Sequence, residues 1–410
     1  MSEPDAVLRR GRVTVALLFL AYGVILGTWT ARIPAIKHGL GLGDGELSVG
    51  LLAFAAGAIV GMQASGRLVD RYASGKVMVP AVFADAVLLN LPAHAVGLVS
   101  LVGFLFAFGA GHGMLNVAMN VNAVEVQRAY GRPIITSFHA LYSVGGFVGA
   151  AVGGLFAYAE IGAAATFLSV AAGVVVVAVW AARWALPADP AEAAPRPDRG
   201  AGPVPGVLFL GVLVFCCLVG EGAAADWSTV YLRDSLGSNA GFAAAAYAAF
   251  SIMMMAGRLV GDRLAAAIGP VRLVRFCGVL AGAGLAAALL VGHPAAGVAG
   301  FGLLGAGLSC IAPQVFSAAG NRDPARAGQA IARVASLGFL GFVVGPVVIG
   351  GIAQLVGLAV ALAVPAVLAL FVALAAPALS EVDEHAAGDL ADEMDGLGPA
   401  DGGVFEGDEV

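Results

Sequence analysis

The chain has 410 residues, of which 60% are hydrophobic and 12% are charged, and its mean hydropathy is +0.92. Since soluble domains carry about 25% charged residues, this composition excludes a soluble globular protein and predicts an all-α polytopic membrane protein. The formal net charge of −6 comes from the end of the chain, because eleven of the 27 acidic residues follow Ser380. Without them, 21 basic and 16 acidic residues leave a net charge of +5.

Twelve apolar runs are long enough to cross a membrane, which takes about 20 residues. They cover approximately 13–36, 46–66, 76–94, 97–121, 134–157, 161–185, 206–231, 240–260, 271–291, 295–317, 330–354 and 357–379. The first run exceeds the length of a secretory signal and ends in TWTARIP rather than at a small-residue cleavage site, so we interpret it as a span. With the N-terminus inside, only Arg32, Lys37 and Arg233 of the 21 basic residues lie outside. This asymmetry predicts that both termini are cytoplasmic.

An internal repeat divides the chain into two halves of six spans each. GRLVDR at 66–71 recurs as GRLVGDR at 257–263, and Trp29 recurs as Trp227. The predicted domains are therefore a cytoplasmic N-terminus, a first six-helix bundle, a cytoplasmic linker, a second six-helix bundle and an acidic, disordered tail. Their boundaries are 1–12, 13–185, 186–205, 206–379 and 380–410.

Two parallel six-span halves joined by a linker resemble the major facilitator superfamily. GRLVDR is similar to the superfamily's loop motif between spans two and three, although Ala73 replaces its usual glycine. GTWTARIP at 27–34, SFHALYSVGGFVGA at 137–150 and ADWSTVYLRD at 225–234 resemble the MosC-like and YbjJ-like branch of bacterial transporters. The resemblance implies the major facilitator fold, a pseudo-symmetric pair of six-helix bundles in the bacterial cytoplasmic membrane.

The same resemblance implies the function of a secondary active transporter that works by alternating access. We expect its cargo to be a small polar organic solute, sugar- or cyclitol-like, and its coupling ion to be the proton. The superfamily's arginine in span four has no counterpart in LVGFLFAFGAGHG, which leaves coupling open. Two alternatives remain: an efflux antiporter for drugs or metabolites, and a non-transporting membrane receptor or assembly partner.

The repeated loop motifs predict a gate on the inner side. Asp70 with Arg71, and Asp262 with Arg263, lie at turns between spans. A carboxylate there can meet the N-terminus of a helix in the other half. We expect Asp70 at the start of span eleven, near Arg333, and Asp262 at the start of span five, near Arg132; the alternative is that these charges only set the topology.

A glycine series in span five allows two interpretations. Gly145, Gly149, Gly153 and Gly154 resemble the superfamily's antiporter motif, although Ala150 stands where proline is expected. Glycines at four-residue spacing also let helices pack backbone to backbone. The direction of transport stays open.

Polar residues on helical faces are the candidate solute-binding groups, because polar groups within spans face the bundle interior or a wet cavity. One stripe on span four comprises His112, Asn116 and Asn120, and interhelical hydrogen bonds are its alternative explanation. Further polar candidates are His139 and Tyr142 in span five and Gln314 in span ten, and the candidate stacking faces are Tyr22, Trp29, Trp227 and Tyr247. Asp85 in span three has no assigned role.

Two carboxylates lie inside the apolar seventh span, where an ionisable group costs about 2.5–3.5 kcal/mol or more. Asp226 and Arg32 both lie about 28 Å from the inner face, counted along their helices, so we expect them to pair at an outer gate. Glu221, at about 21 Å, is the candidate proton-coupling site. The alternative is a static ion pair with a hydrogen-bonded glutamic acid.

The sequence predicts no enzyme, since it contains no phosphate-binding loop, HExxH or paired-cysteine metal pattern. We therefore expect no catalytic residues, no metal and no cofactor. The four cysteines all fall in apolar runs and indicate no disulfide scaffold. The expected partners are the lipid bilayer, the solute and protons; we expect no nucleic acid partner and a monomer.

Overall fold

The computed structural model describes residues 6–183 and 204–380. All regular structure in these two ranges is helical, and twelve helices are long and apolar enough to cross a membrane. Helices α1 to α6 are Ala6–Gly39, Glu46–Tyr72, Ser74–His94, Leu98–Tyr130, Ile135–Tyr158 and Ala163–Ala182. Helices α7 to α12 are Val207–Ser235, Phe242–Ile268, Pro270–Val291, Pro294–Arg322, Pro324–Val356 and Leu358–Leu379.

The twelve predicted spans are confirmed, although several helices are longer than the apolar runs. Helix α4, for example, continues from the expected end at residue 121 to Tyr130. An apolar run marks only the part of a helix in hydrocarbon, whereas backbone hydrogen bonding continues until a residue such as Gly131, at φ 63°, ends it. Nearly all of the predicted linker and acidic tail lies outside the described residues.

Each half forms a bundle, and the two bundles repeat the same helix contacts. In the first, α1 packs on α5 and α2 packs on α4; in the second, α7 packs on α11 and α8 packs on α10. Helix α10 is interrupted at Ser309 and Cys310, just before Pro313. Proline has no N–H to donate to the carbonyl four residues earlier, which explains the break.

The glycines of α5 allow it to touch the backbone of α1. A Cβ atom on Gly145 would overlap the carbonyl oxygen of Leu20, and one on Gly149 would overlap that of Val24. In contrast, a Cβ on Gly154 would meet nothing within 4 Å. Close packing within one bundle therefore accounts for Gly145 and Gly149.

The two bundles meet mainly through α2 against α11 and α5 against α8. These contacts lie at the end of the molecule that carries Arg71, Arg132, Arg263 and Arg326, which we call the basic end. The other end, which carries Arg32 and Arg233, we call the opposite end. The described side-chain hydrogen bonds between bundles all lie at the basic end or near the middle of the helices.

Replacing Gly149 with alanine should destabilise the first bundle, because the added methyl group must push α5 away from α1. We expect a loss of about 1–3 kcal/mol in the free energy of unfolding, the usual cost of overpacking. Thermal unfolding of the purified protein in detergent measures it. Gly154→Ala is the matched control and should stay within about 0.5 kcal/mol of the wild type. Equal effects of both substitutions would contradict the close packing described above.

Candidate functional site

Two carboxylates at the basic end each bind the start of a helix in the other bundle. Asp70 accepts hydrogen bonds from the backbone N–H groups of Gly328 (2.7 Å) and Gln329 (3.2 Å), at the start of α11. Asp262 accepts from those of Thr136 (2.8 Å) and Ser137 (2.9 Å), at the start of α5. The first N–H groups of a helix lack intrahelical partners and carry positive partial charge, so a carboxylate is well placed there.

The structure brings each acid to the helix that the repeat predicts, but to backbone groups rather than to Arg333 or Arg132. Arg132 lies over the ring of Tyr130, with 5.6 Å between the guanidinium carbon and the ring centroid. Arg71 and Arg263 are exposed at the same end. The gating roles of these residues stay predictions.

Amide side chains form the next layer between the bundles. Gln63 donates to the Ser336 hydroxyl at 2.8 Å. Gln314 donates to the Thr136 hydroxyl at 3.2 Å, directly beside the Asp262 contact. Gln314, predicted to bind solute, therefore lies in the closed contact between bundles in this structure.

Glu221 lies in the middle of α7 and pairs with a buried arginine of α8. The Glu221 Oε1 to Arg258 Nη2 distance is 3.4 Å, and the two side chains are only 16% and 7% exposed. Arg258 also donates from Nη1 to the hydroxyl of Ser143, on α5 of the first bundle, at 2.6 Å. The arrangement joins a protonatable group to the interface between bundles through one guanidinium.

The sequence interpretation assigned Arg258 to the cytoplasmic charges, which is wrong. It lies ten residues before the end of α8 at Ile268, about 15 Å along the helix axis. The sequence feature that could have revealed the buried position of Arg258 is the extra glycine in GRLVGDR. This glycine puts Arg258 four residues before Asp262, whereas Arg67 is three residues before Asp70.

A cluster of polar and aromatic side chains lies inside the first bundle. The rings of Tyr22 and His112 stack with centroids 3.8 Å apart and planes 10° apart. Asn116 donates to the Tyr22 hydroxyl at 3.1 Å, and Asn120 donates to the backbone carbonyl of Asn116 at 2.8 Å. Behind this layer, His112 Nδ1 lies 2.9 Å from a carboxylate oxygen of Asp85. The stripe predicted on α4 is thus joined to α1 and α3.

Helix α5 contributes two more of the predicted residues. Tyr142 lies beside Tyr22, with ring centroids 5.5 Å apart. His139 packs against Phe19 and stacks on Phe316 of the second bundle, 6.0 Å between centroids and 13° between planes. His139 therefore contacts both bundles near the amide layer.

Three of the predicted aromatic residues lie outside this cluster. Trp29 is buried against Phe108 and Phe167, within the first bundle. Trp227 is partly buried, and its indole N–H has no hydrogen-bond partner in the described residues. Tyr247 on α8 is 43% exposed.

The predicted pair between Arg32 and Asp226 is not formed. The buried Arg32 guanidinium donates to the carbonyl oxygen of Ile161 at 2.7 Å, within its own bundle, and Asp226 is exposed. Counting residues along a helix gives depth but not rotation about its axis. Arg32 faces the start of α6 instead of the second bundle.

Comparisons with known proteins agree with this architecture. The chain is 33% identical over 355 residues to an uncharacterized MFS-type transporter of Yersinia pestis, which covers 84% of this chain and 89% of that protein. It is 33% identical over 350 residues to an uncharacterized transporter of Sinorhizobium fredii, with 83% and 90% covered. Membrane protein MosC of Rhizobium meliloti is 32% identical over 356 residues, with 84% of each chain covered.

Solved structures share the fold. FucP, a major facilitator superfamily transporter crystallised in the outward conformation, matches with a TM-score of 0.72 and 15% identity over 90% of this chain and 98% of its own. A second structure of FucP, described as the E. coli fucose:proton symporter, matches with a TM-score of 0.69 and 16% identity.

The family model of the Major Facilitator Superfamily matches residues 13–327 and 210–402. The matches together cover almost the whole chain, including both bundles and the contacts between them. With twelve membrane-spanning helices, two repeated bundles and relatives above 30% identity over most of its length, this protein belongs to the major facilitator superfamily of membrane transporters.

Proposed function

We propose that this transporter moves a small polar organic solute, sugar- or cyclitol-like, by alternating access coupled to protons. Transport itself follows from the family. The cluster of Tyr22, His112, Asn116 and Tyr142 supports the solute class, because aromatic faces and amides suit hydroxylated rings. The shared fold with a protein described as a fucose:proton symporter supports the same class of cargo.

We propose that the basic end faces the cytoplasm of a bacterial cell and that the protein is a monomer in the cytoplasmic membrane. The positive-inside tendency supports this orientation. The described contacts between bundles close the basic end, so the proposed solute path opens at the opposite end in this conformation. The likeness to FucP in its outward conformation supports this interpretation.

The observation that carries the proton-coupling proposal is the buried Glu221–Arg258 pair and its extension to Ser143. An ionised Glu221 balances the charge of Arg258. When Glu221 takes up a proton, Arg258 becomes an unbalanced buried charge, which costs several kcal/mol. The neutral hydroxyl of Ser143 cannot supply the missing charge. Protonation of Glu221 therefore weakens the guanidinium's position at the contact between bundles and favours its opening.

Alternating access also requires the contacts at the basic end to break. Asp70 and Asp262 satisfy helix N-termini through two hydrogen bonds each. Water can replace such partners once the ends separate, so these contacts are reversible. We propose that they are the two latches of the closed basic end. The efflux alternative rested on the glycine series, and the packing of Gly145 and Gly149 against α1 explains those residues without it.

A thermal-shift screen of the purified protein tests the solute class. Sugars and cyclitols should raise the melting temperature, since a ligand at 100 times its dissociation constant stabilises the folded state by about 2.7 kcal/mol. Amino acids and cationic drugs are the comparison groups. A shift with cationic drugs alone would favour efflux, and a ligand that binds without crossing sealed vesicles would favour the receptor alternative.

Glu221→Gln should abolish proton-driven uptake, and the movement of solute down its own concentration gradient should be unaffected. Glutamine keeps the shape and the oxygen that faces Arg258 but cannot titrate. Uptake into proteoliposomes with and without an imposed pH gradient measures the difference. Asp234→Asn is the control, because Asp234 is an exposed acid near the end of the same helix. Unchanged proton dependence in Glu221→Gln would remove the coupling role.

Asp70→Ala should open the basic end. A carboxylate at a helix start contributes about 1 kcal/mol, so we expect the open population to rise about fivefold. The measurement is the rate at which a thiol reagent modifies a cysteine introduced at Ser336, in protein whose four native cysteines are replaced. Glu46→Ala is the control, since Glu46 accepts a hydrogen bond from the Gly43 N–H at the start of α2, within its own bundle. Equal rates in the two variants would show that Asp70 is not a latch.

A further inference from the structure

A second buried acid, Asp85, lies on α3 outside the proposed coupling network. Its side chain is completely buried, and its Oδ2 atom lies 2.9 Å from His112 Nδ1. Its other oxygen, Oδ1, has no hydrogen-bond partner in the described part of the chain. The side chains of Tyr22, Phe54 and Phe108 surround the His112 ring. Asp85 thus acts on the polar cluster through one contact, with His112.

The charge state of Asp85 decides which nitrogen of the His112 ring carries the proton. When Asp85 is ionised, its carboxylate can only accept hydrogen bonds, and Nδ1 of His112 carries the donated hydrogen. In a neutral imidazole the other nitrogen, Nε2, then presents a lone pair. His112 Nε2 is buried and has no partner among the described residues. In this tautomer Nε2 is a buried acceptor without a donor, which costs about 1–3 kcal/mol unless a ligand or water supplies one.

Two more unmet acceptors follow on the same face of α4. The Oδ1 atoms of Asn116 and Asn120 are buried without partners in the described chain, although their amide groups donate to Tyr22 and to the α4 backbone. The three residues are four positions apart, about 6 Å per step along the helix. That step is comparable with the distance between hydroxyl groups on opposite sides of a six-membered carbon ring.

We infer that Asp85 is an ionised positioning residue, stabilised by the N–H of a neutral His112 ring, and that it holds His112 in the tautomer whose Nε2 accepts a hydrogen bond. His112 Nε2, Asn116 Oδ1 and Asn120 Oδ1 then form a row of acceptors for the hydroxyl groups of the solute. This assignment rests on the proposed function and narrows it: the solute is a neutral polyol with several hydroxyls along one edge. An anionic solute is disfavoured, because a carboxylate has no hydrogen to donate and would place its oxygens against the acceptor atoms of the protein.

Nitrogen NMR of protein labelled with ¹⁵N-histidine tests the tautomer without any ligand. The His112 signals are identified by their loss in His112→Phe. We expect a protonated Nδ1 and an unprotonated Nε2 in the wild type at neutral pH. In Asp85→Leu the acceptor for Nδ1 is gone, and we expect the proton at Nε2. Val87→Leu, at a position on α3 that is 63% exposed, is the matched control and should keep the wild-type spectrum.

Binding measurements test the row of acceptors. With myo-inositol and L-fucose as probes, Asp85→Leu should weaken binding about 10- to 100-fold, the cost of one donor where an acceptor is needed. The double variant Asp85→Leu with His112→Phe keeps a ring against Tyr22 and leaves no acid unpaired, and it should weaken binding equally. D-glucuronate, the anionic comparison, should bind more weakly than both neutral probes.

The outcomes separate this inference from the proposed function. A protonated Nε2 in the wild type overturns the assignment of Asp85, whatever is transported. The expected tautomer, with polyol binding unchanged in both variants, shows that a water molecule satisfies Nε2 and overturns the role in solute binding. If neither polyol binds the wild type, the proposed solute class fails, and the nitrogen spectrum alone decides the role of Asp85.

Discussion

The interior of a membrane offers no water to a charged group, so each buried charge must be matched by the protein itself. Glu221 and Arg258 meet this constraint together inside the second bundle. The guanidinium has more donors than one carboxylate can use, and one of them reaches Ser143 of the first bundle. A single buried ion pair thereby becomes a contact between the two moving parts. In the proposed mechanism, proton binding at Glu221 and the bundle interface depend on the same few atoms.

The same electrostatic principle acts at the basic end with different groups. Asp70 and Asp262 carry charges that the starts of α11 and α5 stabilise through backbone N–H groups. Within each bundle, glycines such as Gly149 bring helices to backbone contact, which leaves little room for internal movement. Between bundles, hydrogen bonds that water can replace accompany one close glycine approach, of Gly66 on α2 to Gly328 on α11. Tightly packed bundles that meet through a largely hydrogen-bonded interface suit a transporter that rocks two rigid bodies against each other.

One inserted residue distinguishes the two copies of the repeated motif and changes the role of its arginine. Asp70 and Asp262 occupy equivalent places, each at a helix start of the other bundle. Arg67 precedes its acid by three residues and is exposed, whereas Arg258 precedes its acid by four and is buried. One residue corresponds to about 100° of rotation on a helix. In the second copy the arginine therefore points toward the interface between bundles. A helical-wheel comparison of the two copies could have revealed this difference in direction.

The sequence by itself determined the twelve spans, the two repeated bundles and the helix starts that Asp70 and Asp262 meet, because these follow from apolar length and from a duplicated motif. It also identified Glu221 as a buried acid and the stripe on α4 as polar. It could not give the rotation of a helix about its axis. Consequently it predicted an Arg32–Asp226 pair from their equal depth, assigned Gln314 to solute binding and gave Asp85 no role. Only the packing of neighbouring helices decided which side chains meet: Arg258 with Glu221, and His112 with Asp85.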